Sequence, residues 1–371
     1  MDTQTASREE VLLMAMELSN TEWRVRFGTG QEERGVRVEA RDIKGLARAI
    51  GVARKKLGCG AGWRVVSCYE AGRDGFWLHR CLVQMGVENV VVDSASIEVS
   101  RRKRRAKTDR LDAQKLLAML RRYVVYGERT MWQVVRVPTE TQEDERRRHR
   151  EYERLQAERT SHVGRVRSLL ALHGVAPRGL AAEVGAYRDW AQRPLPEGVQ
   201  AELQRELERL RIVERQIREL AHTRAQTVKE PVTEGDRVTA KLMRVKAIGM
   251  ETASVLGYEF FGWRRFANRR QVGALAGLTG TPYDSGQSKR EQGISKAGNA
   301  RVRHKMIEAT WLWLRFQPQS ALTQWFWAHY GPGSKRKRRV GIVAMARKLL
   351  VALWKYVQFD EVPVGAILKT V

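Results

Sequence analysis

The sequence predicts a chain of two architectures: an α/β layer with a mixed sheet in the first third, and helix-rich, all-α structure in the remainder. Three observations predict this division. The first third alternates β-rich runs with helical patterns, the sequence from about Glu140 is rich in Arg and Glu, and the sequence from about Asp236 combines apolar helices with conspicuous loops. With 371 residues and 43% hydrophobic content, the chain can form several domains. We expect three, over residues 1–135, 136–235 and 236–371.

The elements of the first third follow one another in an informative order. Three β-rich runs come first, with the sequences VLLMAMELS, EWRVRFG and GVRVEA. A helical pattern that ends at Gly58, a buried strand in WRVVSCYEAG, a helix that ends at Gly86, a strand in ENVVVDSAS and a further helix complete the segment. Three strands followed by this αβαβ order predict an RNase H-like fold with a mixed sheet.

The middle segment predicts paired helices. Its helical pattern is interrupted by GVAPRGL and RPLPEG, both of which break helices. On the next helix, apolar residues recur at intervals of three and four with opposite charges between them: Leu203, Leu207, Leu210, Val213, Ile217 and Leu220. The pattern predicts a helical hairpin or a short coiled coil. Because it lasts under three heptads, simple packing against the body of the protein is an equal alternative.

The last segment predicts helices joined by two polar loops. TPYDSGQSKREQGISKAGN is interpreted as a long loop, and Asn299 is expected to cap the following helix, ARVRHKMIEATWLWLRF. A basic loop, GPGSKRKRR, precedes the final helix IVAMARKLLVALWKYV. Tryptophans at helical spacing in WLWLRF and WFWAHY are interpreted as core packing, in preference to stacking on nucleic-acid bases.

The charge of the chain predicts a polyanionic partner. Lys and Arg number 68 against 42 Asp and Glu, a formal charge of +26 that makes nucleic acid the leading partner. No apolar run approaches the roughly 20 residues that span a bilayer, and the N-terminus lacks the pattern of a secretion signal. We therefore expect a cytoplasmic, nucleoid-associated bacterial protein with no membrane partner. Cys59, Cys68 and Cys81 form no C-x-x-C pair, which disfavours a disulfide framework or a zinc knuckle.

Four carboxylates are candidate metal ligands. Asp109 and Asp112 are one helical turn apart, with about 5–6 Å between their Cβ atoms. Glu17 and Glu70 end two strands that an RNase H-like sheet would bring together. Hard oxygen ligands of this kind suit Mg²⁺ or Mn²⁺, and a pair of such ions would activate an attacking oxygen and stabilise a leaving one. The alternative interpretation of Asp109 and Asp112 is a solvated helix face, favourable near the start of a helix.

Basic residues beside these acids would hold phosphates near the ions. They are Arg101, Arg102, Lys103, Arg104, Arg105, Lys107 and Arg110. Further candidates for contact with a nucleic-acid backbone lie in and beside the two polar loops of the last segment. They are Lys289, Arg290, Lys296, Arg301, Arg303, Lys335, Arg336, Lys337, Arg338 and Arg339.

The loop around Ser285 contains the candidate nucleophile. Ser285 precedes Gly286, whose missing Cβ would let the backbone approach a sugar-phosphate closely. A serine hydroxyl becomes nucleophilic when a base or a metal lowers its effective pKa. The loop supplies no such base, so the loop alone favours a solvated segment that only binds phosphate. If Ser285 is a nucleophile, the carboxylates of the first domain must activate it, in a composite site between domains or subunits.

The combined motifs resemble those of a known family. The order AMELSNTEW, CYEAG, KTDRLDAQKL, VKAIGMETASVL, FANRRQVGALAGLTG, DSGQSKREQGISKAGNARVR and ARKLLVALW resembles the IS-one-ten family of insertion-sequence transposases. These are DEDD transposases, related to Piv-type DNA invertases, and the resemblance covers nearly the whole chain. It implies a RuvC-like domain, a helical linker and a C-terminal transposase domain. Carried over by position, Glu17, Glu70, Asp109 and Asp112 would hold the metal and Ser285 would be the catalytic nucleophile.

The resemblance also implies a reaction and its partners. The family usually has Asp at the position of Glu17, and Ser288 is the alternative nucleophile if the alignment shifts. Donor and target DNA would exchange strands through a 5′-phosphoserine intermediate, and a structured non-coding RNA, the bridge RNA, would select both DNA sites by pairing. A homo-oligomer is expected, a dimer that assembles to a tetramer through the Arg/Glu helices. The alternatives are a hydrolytic RuvC-like nuclease without a covalent intermediate and a non-catalytic nucleic-acid scaffold.

Overall fold

The chain forms two compact units in a computed structural model. The structure describes residues 10–30, 32–72, 75–97, 109–181, 183–285 and 288–369, and it describes their side chains except at 95, 109–112 and 282–292. The units are Met1–Pro138, which is α/β, and Thr139–Val371, which is largely helical. The separation of residues 136–235 from residues 236–371 as domains stays a prediction. Within the described ranges, no helix is both long and apolar enough to cross a membrane.

A five-stranded sheet forms the centre of the first unit. Its strands lie in the order β3-β2-β1-β4-β5. β1 pairs antiparallel with β2, and β2 with β3, whereas β1, β4 and β5 run parallel. The strands are β1 (Val11–Glu17), β2 (Glu22–Gly28), β3 (Glu33–Glu39), β4 (Arg64–Glu70) and β5 (Glu88–Val92). The predicted mixed sheet and the predicted order of elements are therefore confirmed.

Helices cover both faces of this sheet. α1 (Ile43–Lys56) and α2 (Trp77–Gln84) pack on one face, and α3 (Asp109–Val124) packs on the other. Because side chains alternate along a strand, neighbouring residues of β1 serve opposite layers. Leu12 belongs to the layer under α1 and α2, and Leu13 belongs to the layer under α3. β1 is thus buried from both sides, which explains its continuous apolar sequence.

A long helical hairpin opens the second unit. It consists of α4 (Glu140–Ala171) and α5 (Glu197–Lys229), which pack together through apolar side chains such as Val166 and Leu207. Thr139 caps α4 in a capping box. The two helix-breaking sequences lie at the ends of the connection between the helices, and the predicted helical hairpin is therefore present.

The rest of the second unit packs around one apolar core. Its helices are α6 (Glu234–Met243), α7 (Met250–Leu256), α8 (Arg269–Leu275), α9 (Ala300–Phe316), α10 (Ala321–Tyr330) and α11 (Lys335–Phe359). α7 continues directly into a π-helical turn, Gly257–Phe261. The core contains Trp313, and the partly buried Trp325 packs against it, as the helical spacing predicted. Trp311 and Trp327 are 51% and 49% exposed, so the interpretation as core packing is wrong for these two, which point away from their buried neighbours.

Two segments that the sequence predicts as loops are regular structure. The long polar loop is an antiparallel hairpin of β6 (Gly280–Ser285) and β7 (Ser288–Ile294). Its sequence lacks the alternating apolar residues that predict a half-buried strand. The basic segment forms the first turns of α11, which Ser334 caps. Lys and Arg are good helix formers, and this propensity prevails over the polar appearance of the run.

Candidate functional site

Glu17 and Glu70 end neighbouring parallel strands. In the register of β1 and β4, Met16 pairs with Tyr69. The next residues, Glu17 and Glu70, therefore lie side by side at the carboxyl edge of the sheet. Ala15, two residues before Glu17, packs in the layer under α3. Because side chains alternate, both glutamates belong to the α3 face.

Both glutamates line an open cleft of roughly 310 Å³ at this edge, together with Tyr69, Gly72 and Ser94. Each glutamate is half-buried. A water molecule takes a share of about 30 Å³ in the liquid, so the cleft has room for a hydrated cation and a phosphate group. Two carboxylates that share one partly enclosed space repel each other unless a cation lies near them.

α3 begins near the same edge of the sheet. Ala113, in its first turns, lies in a cleft with Arg24, whose strand position is opposite Glu17. At the other end of α3, the Arg121 guanidinium donates a hydrogen bond of 2.8 Å to the carbonyl oxygen of Thr29, just after β2. α3 therefore runs antiparallel to β1 and starts beside the end of that strand. The backbones of Asp109 and Asp112 are the start of this helix, and their side chains lie outside the described part of the structure.

The donor set fits a hard divalent cation. Carboxylate oxygens are the ligands that Mg²⁺ and Mn²⁺ prefer, and Glu17 and Glu70 provide two of them from adjacent strands. Among the side chains that the structure describes, no group of three or more acidic, His or Cys ligands comes together. Asp109 and Asp112 are the only predicted ligands beyond that description, so a complete site would depend on them.

Ser285 is the last residue of β6 and faces Ser288 across the tip of the hairpin. Only residues 286 and 287 separate the two serines, and both lie outside the described residues. The backbone positions of both serine candidates are therefore at the tip of a two-stranded ribbon. Their hydroxyl groups lie outside the described side chains.

The base of the hairpin is tied firmly to α8 and α9. The Arg303 guanidinium donates to the carbonyl oxygens of Lys296 and Ala276, at 2.9 and 3.3 Å. The backbone amide of Asn299 donates to the carbonyl of Leu275 at 2.7 Å. Arg303 is half-buried and holds the root of the hairpin, and its contact with nucleic acid stays a prediction.

The other predicted basic residues fall into four groups. Residues 101–105 and 107 lie outside the described residues, and Lys289 and Arg290 are described only as backbone positions of β7. Arg301 forms an ion pair with Glu153 of α4, whereas Lys296 is exposed. The basic residues at the start of α11 are exposed, and they are Lys335, Arg336, Lys337, Arg338 and Arg339.

Sequence reasoning missed two sets of charged residues. Arg24 and Arg26 of β2 and Arg37 of β3 line a cleft on the α3 face of the sheet. The alternation of Arg with apolar residues in EWRVRFG and GVRVEA was a signal for this set. The other set is an ion pair with a buried acid: Arg150 binds the buried carboxylate of Glu259 through two hydrogen bonds, at 2.6 and 2.9 Å. These partners are 109 residues apart, and no local pattern predicts their pairing.

Comparison with known proteins gives one family and several relatives. Residues 239–324, which include the hairpin, match the sequence profile described as "Transposase IS116/IS110/IS902 family". The chain is similar to the "Putative transposase y4rJ" of Sinorhizobium fredii, with 40% identity over 97% of this chain and 95% of that protein. It is also similar to the "Transposase for insertion sequence element IS1328" of Yersinia enterocolitica, with 27% identity over 32% of this chain and 35% of that protein. A third relative is the "Probable family 20 transposase" of Pseudomonas aeruginosa, with 30% identity over 56% of this chain and 61% of that protein.

Proposed function

Because this chain belongs to the IS116/IS110/IS902 family of insertion-sequence transposases, we propose that it exchanges DNA strands through a covalent bond to Ser285. The match to this family confirms the resemblance of the motifs to the IS-one-ten transposases. A carboxylate site on the first unit is the second component of the proposed reaction. Its members are Glu17, Glu70, Asp109 and Asp112.

The observation that carries the proposal is that Glu17 and Glu70 line one cleft at the carboxyl edge of two parallel strands, beside the start of α3. The strand order β3-β2-β1-β4-β5, with an acid at the end of both central parallel strands, supports a RuvC-like domain of the RNase H fold. The four carboxylates would hold Mg²⁺ or Mn²⁺. When bound, such an ion supplies Lewis-acid stabilisation of the charge on phosphate oxygens.

The covalent step conserves the energy of the phosphodiester bond. Ser285 Oγ attacks the phosphorus, the Oγ–P bond forms, and the bond from phosphorus to the 3′ oxygen breaks. The serine proton passes to a general base, and the departing 3′ oxygen takes up a proton. A 3′-hydroxyl of another strand then attacks the phosphoserine, forms the new phosphodiester and releases the serine oxygen. No ATP is required.

The proposed partners follow from the charge of the protein and from its family. Donor and target DNA are the substrates, and a bridge RNA would choose both sites by base pairing. The exposed basic turns at the start of α11 suit contact with phosphates, which carry no sequence information. Assembly as a dimer and then a tetramer would bring together the several serines that cutting and rejoining two duplexes requires.

Ser285→Ala is the decisive variant. We expect it to form no covalent adduct with DNA that carries the element ends, in the presence of Mg²⁺ and the flanking non-coding RNA, while it still binds nucleic acid. Ser288→Ala, on the facing strand of the same hairpin, is the matched control and should form the adduct. The measurement is a labelled protein–DNA band on a denaturing gel. An adduct that survives in Ser285→Ala would refute the assignment, and free cut ends without any adduct in the unmodified protein would indicate a hydrolytic nuclease.

Glu70→Gln tests the carboxylate site without catalysis. We expect it to weaken Mn²⁺ binding by roughly tenfold or more, because loss of a ligand costs at least as much as loss of a supporting group. The control is Glu88→Gln, since Glu88 begins β5 at the opposite edge of the sheet and is exposed. Titration calorimetry of the intact protein gives both affinities. Equal affinities in the two variants would exclude Glu70 as a ligand.

A further inference from the structure

We propose that a cleft on the α3 face of the sheet binds the phosphodiester backbone of a DNA strand, with Arg24, Arg26 and Arg37 as the phosphate ligands. We call it the arginine cleft, and it has a volume of roughly 380 Å³. The inference rests on the proposed function, because it supplies a path along which DNA reaches the carboxylates. Its test is independent of catalysis.

The charged residues in the described lining of the arginine cleft are all arginines. Its described residues are the three arginines, Val25, Val36, Gly35 and Ala113 of α3, and they include no carboxylate. Gly35 contributes open space, because a Cβ added there would find only the Arg26 Cγ atom, at 4.0 Å. A concave surface with three guanidinium groups and a gap over the backbone is complementary to a phosphodiester chain.

The strand register places the arginines on one face. Arg24 pairs with Arg37, and Arg26 pairs with Gly35, across β2 and β3. Trp23 and Phe27, which alternate with these arginines in β2, are buried in the layer under α1 and α2. The arginines therefore project from the opposite face, where α3 lies.

The same register joins the arginine cleft to the carboxylates. Glu17 pairs with Arg24, and Arg24 pairs with Arg37, so the three form one row across β1, β2 and β3. With strands about 4.8 Å apart, Arg24 and Arg37 lie roughly 5 and 10 Å from Glu17 along this row. A DNA strand that crosses the sheet in this direction would present successive phosphates to the arginines and then to Glu17 and Glu70.

The ion pairs that the structure describes between these arginines and the carboxylates of Glu22 and Glu33 are long. Arg24 and Arg37 each lie 3.6 Å from the same carboxylate oxygen of Glu22, and Arg26 lies 3.4 Å from Glu33. The Arg37 side chain is 68% exposed. Ion pairs of this kind at a protein surface contribute little to stability. A guanidinium can therefore exchange such a partner for a phosphate, which it binds with two parallel hydrogen bonds.

The test is the salt dependence of binding to a single-stranded DNA oligonucleotide, measured with the full chain. Each phosphate contact contributes about 0.7 to the slope of log K against log salt concentration for a single strand. We expect the double variant Arg24→Gln, Arg37→Gln to lower the slope by roughly 1.4. The matched control is Arg34→Gln, because Arg34 lies in β3 but pairs with Phe27 and belongs to the opposite face. Its slope should stay unchanged.

Further variants keep the result interpretable. Arg24→Lys with Arg37→Lys retains both charges and should retain the slope, and equal thermal unfolding midpoints establish that all variants fold. A slope that falls equally in the Gln variant and in Arg34→Gln, or in neither, would overturn the proposal. A loss confined to an RNA oligonucleotide of the same sequence would also overturn it. The proposed function is tested separately: a covalent adduct with DNA that survives in Ser285→Ala would refute it and would leave the salt dependence of the arginine variants unaffected.

Discussion

His149 is a titratable residue that the fold removes from water. It is 1% exposed, and its Nε2 atom lies 3.5 Å from a carboxylate oxygen of Glu153. Burial is the main cause that lowers the pKa of His149 to about 4, nearby arginines such as Arg224 act in the same direction, and the Glu259 carboxylate opposes them. His149 is therefore neutral in the folded protein at neutral pH.

The buried histidine predicts a loss of stability in weak acid. Above its unfolded pKa of about 6.5, His149 is neutral in both states and has no effect. As the pH falls from about 6.5 to 4, His149 binds a proton in the unfolded chain and not in the folded protein. This difference lowers the free energy of unfolding by about 3 kcal/mol in total. Urea unfolding at pH 7 and pH 4.5 measures this loss, which should be smaller in His149→Gln than in the unmodified protein.

His222→Gln is the control for this measurement, because His222 is an exposed residue of α5. Its loss of stability between the two pH values should match that of the unmodified protein. The same loss in all three proteins would mean that His149 does not titrate differently on unfolding.

Glu206 of α5 joins that helix to α4. Its carboxylate accepts hydrogen bonds from His162 and Arg165 of α4, at 2.7 and 2.9 Å, and from Arg209 of α5 at 2.7 Å. Burial alone would raise the pKa of Glu206, but these three hydrogen bonds outweigh it and lower the pKa to about 2. The ionised Glu206 carboxylate therefore stabilises the folded state fully above its unfolded pKa of about 4.5, and this contribution is lost as the pH falls toward 2.

Glu206→Gln should destabilise the α4–α5 hairpin at pH 7 by about 1–3 kcal/mol, because a neutral amide cannot satisfy three cationic or polar donors. Hydrogen exchange of the amides in both helices would report the loss. Glu208→Gln, two positions along on the exposed side of α5, is the control. Exchange rates that do not distinguish the two variants would contradict this role of Glu206.

Elements with strong local patterns were predictable, and those that depend on long-range partners were not. β1 and α5 carry clear apolar patterns, and the structure has them where the sequence predicts. The β6–β7 hairpin is polar, and it is fixed at its root by Arg303 and by backbone hydrogen bonds to α8. Arg303 and its acceptor Ala276 are 27 residues apart, and no local pattern predicts such a contact, so the segment was predicted as a loop.

The protein's surplus of 26 positive charges is used in two ways. Some arginines neutralise buried carboxylates, as Arg150 does with Glu259. Others are exposed where they are electrostatically unfavourable. The first five residues of α11 are basic, and they lie at the N-terminal end of the helix, where the macrodipole disfavours positive charge. A polyanion such as DNA would relieve this repulsion, which is why composition alone predicted the class of partner.

The acidic part of the candidate site was predictable from the sequence, and its arginines were not. Glu17 and Glu70 could be placed together because each ends a recognisable strand and the order of elements predicts which strands are neighbours. Arg24 and Arg37 required the register of β2 and β3, which composition does not reveal. Whether Asp109, Asp112 and Ser285 join this chemistry stays a prediction.

The adjacency of Glu17 and Glu70 comes from backbone pairing between the two central strands, and this has a consequence for durability. Neither rotation of a side chain nor movement of a surface loop can separate the two strand ends, because backbone hydrogen bonds hold β1 and β4 together up to Met16 and Tyr69. A slip of either strand by a single position would turn its acid toward the opposite layer. The acidic pair should therefore survive heating until the sheet itself melts, and disappear with it in one step.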